Sequence, residues 1–278
     1  MSVIHPCPRP PSAPAVLRPA AAPARLPALR LGLLLLGLGL GLGALPPAAP
    51  AAEVRVAVAA NFAAATHRLA VDFERESGHR VVASFASTGT LYAQIRHGAP
   101  YDAFLAADAE RPRLLEREGL GVPGTRFTYA TGRLALWSAQ PGLVGGSGDV
   151  LRSGAVRTLA IANPRTAPYG AAARQVLERM GLWEALQGRL VQGENIAQAY
   201  QYVASGNATL GFVALAQVQA GGVAADHWLP PTEWYAPIAQ QALLLQRGAG
   251  NAAARAFLAF LRGAQARAVI EALGYGAP

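Results

Sequence analysis

Lysine is missing from this sequence: all 24 basic side chains are arginine, set against 16 acids. That removes any Walker A phosphate loop, whose lysine reaches the phosphates. Charge is scarce throughout, at 14% of residues. The arginine excess is scattered (Arg111, Arg113 and Arg117; Arg255, Arg262 and Arg267), with no basic block or aromatic-interleaved run, which argues against a nucleic-acid partner. The one cysteine, Cys7, precedes an N-terminal apolar run rather than following it, so it is misplaced for a lipid-modified cysteine. Beyond that run there is no thiol for a disulfide or a thiolate metal site. His67, His79, His97 and His227 lack metal-ligand spacing, and neither H-E-x-x-H nor G-x-S-x-G occurs. Asp102 and Asp108 flank an apolar strand and read as capping or hinge groups rather than a catalytic or metal pair.

The N-terminus carries an address. Arg9, Arg18, Arg25 and Arg30 lead into an apolar run over 31–45, and small residues follow over 46–52. A basic region, a short apolar core and an A-x-A-like end make a secretory signal over 1–52, cleaved near Ala51 or Ala52, with the periplasm as destination. The run is too short and glycine-rich to span a membrane well. Its removal takes away four arginines and no acid, so the formal charge falls from +8 to +4. The roughly 225 residues that remain must be held by their core alone.

Apolar runs predict strands at 54–60, 80–85, 101–107, 133–139, 158–163, 189–192, 210–215 and 242–245. Helical spacing predicts helices at 62–77, 90–97, 110–118, 169–180, 196–205 and one long helix over 251–273. Strands alternating with helices imply an α/β fold with mostly parallel sheets, whose ligands bind beyond the carboxyl ends of strands. Pro230, Pro231 and Pro237 mark a crossing between two lobes. The expected division is a discontinuous lobe of 53–132 and 237–278, with 133–236 as the second lobe.

At four places a strand or loop runs into a helix that opens with small, hydrogen-bonding residues. These are Ala60-Asn61-Phe62, Ser87-Thr88-Gly89-Thr90, Pro168-Tyr169-Gly170 and Glu194-Asn195-Ile196. Helix starts carry unpaired N–H groups and partial positive charge, so they suit an anion. Four of them with neutral donors suggest capture of a small oxyanion without a charged side chain.

Residues 56–112 (VAVAANF…STGTLYAQI…APYDAFLAADAERP), together with NPRTAPYGAAARQVLERMG at 163–181, GENIAQAYQYVASGNATLGFVALAQV at 193–218 and the ending FLAFLRGAQARAVIEALGYG, resemble the periplasmic molybdate-binding proteins of bacterial ABC transporters, the ModA family, in its Asn-containing branch. The resemblance spans 53–278 and implies a two-lobed type II periplasmic binding protein, closing on a tetrahedral dianion. Carried over by position, Asn61 and Thr88 donate from side chain and backbone, Ala60 from backbone, and Ser87 counts among the oxyanion-binding residues with them. From the second lobe come Tyr169 and the N–H of Ile196. In the Ser-containing branch a tyrosine follows the strand where this chain has Ala214; here Tyr169 supplies the hydroxyl instead. The resemblance further implies a non-enzymatic monomer with no cofactor. It would take molybdenum only as the oxyanion molybdate, with tungstate as a second ligand, and deliver it to an ABC permease with its ATPase subunit.

The ligand chemistry agrees. A deprotonated dianion offers acceptors only, so every contact must be a donor and a carboxylate would repel it. Several charge-assisted bonds of about 1.5–3 kcal/mol each can reach the roughly 12 kcal/mol of a nanomolar site. Other readings are a sulfate or other oxyanion carrier, an anion-sensing module, and a secreted hydrolase using Ser87 or Ser205 with His79 or His97.

Overall fold

The computed structural model describes residues 51–222 and 226–278. The expected export signal, over residues 1–50 of its span, lies outside the described residues, as does Cys7.

The chain begins with β1 (Glu53–Ala59), α1 (Ala63–Ser77), β2 (Arg80–Ala86), α2 (Thr88–Arg96), β3 (Ala103–Ala106) and α3 (Glu110–Arg117). After β4 (Phe127–Gly132) it passes into β5 (Leu134–Trp137) with one residue, Arg133, between them. There follow β6 (Leu159–Ala162), α4 (Pro168–Arg179), α5 (Trp183–Leu186), β7 (Leu190–Gly193), α6 (Ile196–Ala204), β8 (Leu210–Ala214), α7 (Leu215–Ala220) and β9 (His227–Trp228). The last elements are β10 (Ile238–Leu244), α8 (Ala252–Arg262) and α9 (Ala264–Ala272).

Two five-stranded sheets result, ordered β2-β1-β3-β10-β4 and β7-β6-β8-β5-β9. In each, three strands run parallel, and the remaining two join antiparallel. The parallel portions are the strand–helix alternation legible in the sequence, and the antiparallel strands are those beside the two crossings between sheets.

β1 shows why these sheets are stable. Val54, Val56 and Val58 pack on one side with Leu69 and Phe73 of α1 and Phe257 of α8. Ala57 packs on the other with Leu91, Phe104 and Leu115. A strand buried on both faces reads as a continuous apolar run, which is what the sequence displays. The second sheet has its own core around Leu136, Ile161, Phe212 and Val176.

Three expectations need correction. The single helix over 251–273 is two helices: Gly263 is extended (φ −71°, ψ 159°) and separates α8 from α9. Glycine is poor in a helix interior because it loses the most backbone freedom there. β4 was not anticipated, although its Phe-Thr-Tyr sequence suits a strand. β10 starts at Ile238, four residues ahead of the expected 242, because the polar pair Gln240-Gln241 interrupts the apolar pattern.

Candidate functional site

The four helix starts converge between the two sheets. Ala60, Asn61, Ser87, Thr88, Tyr169 and Ile196 all line one small cavity, with Ala59, Ala107, Ala167, Pro168 and Asn195 completing the wall. None of these side chains is charged. The first sheet delivers Ala60 and Asn61 at the end of β1, and Ser87 and Thr88 at the end of β2. The second delivers Tyr169 in the first turn of α4, and Ile196 where β7 turns into α6.

A larger cleft lies alongside and shares Ala60 and Asn61. Its walls are largely alanines of α1 and α7 with Tyr200 and Leu273. It lacks Ser87, Thr88, Tyr169 and Ile196, so the small cavity, where all four helix starts meet, is the candidate site.

Hydrogen bonds around the cavity are arranged so that hydroxyls accept from the protein and keep their own proton. Thr88 is 1% exposed, and its Oγ1 accepts from the Ala107 N–H at 3.0 Å. The Tyr169 hydroxyl accepts from Gln240 Nε2 at 3.3 Å. A hydroxyl that accepts in this way still has its O–H to donate. Ser87 differs: its Oγ caps α2 by accepting from the Thr90 N–H at 3.3 Å, and it shares a second bond with Thr90 Oγ1 at 2.7 Å. At α6, Asn195 Oδ1 accepts from the Ala197 and Gln198 N–H groups at 3.0 and 3.1 Å. That cap passes over the first N–H of the helix, which belongs to Ile196.

Asn61 sits in a buried network that sequence reasoning missed. Its Nδ2 donates to Gln240 Oε1 at 2.9 Å and, at a longer 3.3 Å, to the Tyr275 hydroxyl. Tyr275 donates to the Asn61 carbonyl at 2.7 Å, and the Tyr129 hydroxyl reaches Gln240 Oε1 at 3.0 Å. Gln240 is 0% exposed. Burial pushes the phenols of Tyr129 and Tyr169 well above the usual tyrosine range, helped by neighbouring Tyr275, and burial likewise raises Tyr275. All three are therefore neutral donors at physiological pH.

The other candidate groups are engaged elsewhere. Asp102 accepts from the Arg55 N–H at 2.8 Å; Asp108 accepts from the Arg111 N–H at 2.9 Å and pairs with its guanidinium. Ser205 donates to the Gln201 carbonyl at 2.7 Å, and His79 Nδ1 accepts from the Ala52 N–H at 3.3 Å. Among the described residues no cluster of three metal-ligating side chains occurs. Among the described residues three bonds join the sides of the cleft: the Gly89 N–H donates to the Thr166 carbonyl at 2.8 Å, Arg111 donates to the Arg165 carbonyl at 3.2 Å, and Gln240 donates to the Tyr169 hydroxyl as above.

The family of bacterial extracellular solute-binding proteins matches this chain over residues 54–276. The molybdate-binding protein ModA of Azotobacter vinelandii is 54% identical over 231 residues, which cover 82% of this chain and 92% of that protein. The chain belongs to the ModA family. The ModA of Rhodobacter capsulatus is 46% identical over 227 residues, covering 82% of this chain and 89% of that one. The solved structure of the A. vinelandii periplasmic molybdate-binding protein matches with a TM-score of 0.79 at 46% identity, covering 81% of this chain and 100% of that one. The ModA-family fold is the two-lobed α/β architecture of type II periplasmic binding proteins, in agreement with the two sheets and the cleft between them.

Proposed function

We propose that this chain captures molybdate, and tungstate with it, and delivers the anion to an ABC permease served by an ATPase subunit. The observation that carries the reading is the charge-free cavity in which Ala60, Asn61, Ser87, Thr88, Tyr169 and Ile196 meet; ModA relatives named for molybdate binding support it. Thr88 and Tyr169 donate O–H groups. Asn61 donates its main-chain N–H and the amide hydrogen that the Tyr275 hydroxyl accepts in this structure, exchanging that partner for the anion. Ile196 and Ala60 act through backbone, and Ser87 holds the α2 start in place. The protein is a carrier and not an enzyme, works without a cofactor, and acts as a monomer in the periplasm after its leader is cleaved near Ala51 or Ala52. Its two lobes, 53–132 with 237–278 and 133–236, close on the anion by a hinge motion at the two crossings.

Thermal unfolding of the chain from residue 53 onward, with molybdate, tungstate, sulfate and phosphate added separately, tests this. A ligand at a hundred times its Kd adds roughly 2.7 kcal/mol of stability. A rise with molybdate and tungstate alone is expected. A rise with sulfate or phosphate instead would change the substrate, and none with any anion would reject the carrier reading.

A further inference from the structure

We infer that Gln240 is the positioning residue of this site, its amide setting the hydrogen-bond direction of Asn61 and Tyr169 together, so that Asn61 presents its amide nitrogen and Tyr169 keeps its O–H for the anion. The inference rests on the oxyanion reading of the cavity.

Gln240 does not line the cavity. It stands behind it and bonds to a wall residue from each sheet: Asn61 at the end of β1 and Tyr169 in α4. Three local features hold it there. The β10–β4 register shifts between Gln240 and Gln241, an irregularity of the kind that re-aims a side chain beside a site. Tyr129 on β4 reaches its Oε1. Gly132 leaves room for the contact, since a Cβ there would lie 2.2 Å from the Tyr169 hydroxyl and 2.9 Å from Gln240 Nε2.

An amide has one accepting and one donating end, and here they differ in partner. Oε1 takes a hydrogen from Asn61, which keeps the Asn61 nitrogen, not its oxygen, on the Gln240 side. Nε2 gives a hydrogen to the Tyr169 oxygen, which frees the tyrosine's own O–H. A carboxylate in the same place would accept at both ends. Tyr169 would then donate inward, and the cavity would lose a donor and gain a nearby negative charge.

Gln240→Glu is therefore diagnostic. The titratable groups around this position are Tyr129, Tyr169 and Tyr275, with Tyr235 acting on Tyr169, and Asp108, paired with Arg111, acting on Tyr129. Burial keeps Tyr129, Tyr169 and Tyr275 protonated over this range, so the new carboxyl is the group expected to titrate, and burial raises its pKa. Molybdate affinity is measured by calorimetry from pH 6 to pH 9 on the wild-type chain and on Gln240→Glu. The wild type should stay nearly flat. The variant should bind roughly thirtyfold more weakly at pH 9 and recover most of that loss towards pH 6, where the protonated acid again has an O–H to give Tyr169. A purely structural role would weaken binding equally at every pH. That pH-flat deficit, or unaltered binding, would overturn the inference alone. A wild type that takes up no molybdate would overturn the anion reading and this inference with it. Should Gln240→Glu fail to fold, Gly132→Ala separates the same pair by its methyl group. It should weaken molybdate binding at least tenfold, and wild-type affinity in that variant would overturn the inference.

Discussion

The two walls of the cavity are built differently. On the first-sheet side the candidate donors are side chains already tied into the protein: Thr88 to Ala107, Asn61 to Gln240 and Tyr275. On the second-sheet side the contribution is mainly backbone, the Ile196 N–H that the Asn195 cap passes over. Tyr169 is the exception, a second-sheet side chain tied to the first sheet through Gln240. The difference teaches that one wall depends on side-chain chemistry and the other on where helices begin, so the two should respond to substitution in opposite ways.

The largest effect is expected from Asn61→Asp. A carboxylate there faces the Gln240 oxygen and repels a dianion, so affinity should fall by roughly 3 kcal/mol or more, a hundredfold or greater. Calorimetric binding close to wild type would take Asn61 out of the site. Thr88→Val comes next. It removes an O–H from the cavity and leaves the Ala107 N–H buried without its acceptor, so both affinity and unfolding free energy should drop by about 1–3 kcal/mol, with Thr88→Ser restoring most of each. A stability loss without an affinity loss would make Thr88 purely structural. Asn195→Ala should lower stability by about 1 kcal/mol through the lost cap, with a smaller change in affinity. The smallest effect belongs to Ile196→Val, which keeps the N–H. Affinity should stay within about threefold while stability falls by roughly 0.5–1.5 kcal/mol, and a large affinity loss would mean that the side chain, not the backbone, meets the ligand.

What could be read from the sequence follows the same division. The parallel strands and the helix starts announce themselves locally, because a doubly buried strand is a continuous apolar run and a helix start is marked by small capping residues. Ser87 and Asn195 are such caps, and all six candidate residues fall in one cavity. What sits behind the cavity was not legible. Tyr129 and Gln240 are 111 residues apart, and Asn61 and Tyr275 are 214 apart, and no local pattern links them. Gln240 was hidden further because two adjacent glutamines disguise the strand that carries them. The break at Gly263 was lost to the helical spacing on both sides of it.

The place of β10 in the first sheet bears on how the molecule comes into being. β10 lies between β3 and β4, and among the described residues the other pairing of β4 is an isolated bridge from Thr131 to Gly276. Yet β10 begins at Ile238, after every strand of the second sheet has been made. A nascent or newly threaded chain can therefore assemble β2, β1 and β3 early, but β4 waits for a strand more than a hundred residues downstream, a pairing whose loop-closure cost slows folding. Gln240 arrives with that strand, so the anion cavity is among the last parts of the molecule to be finished.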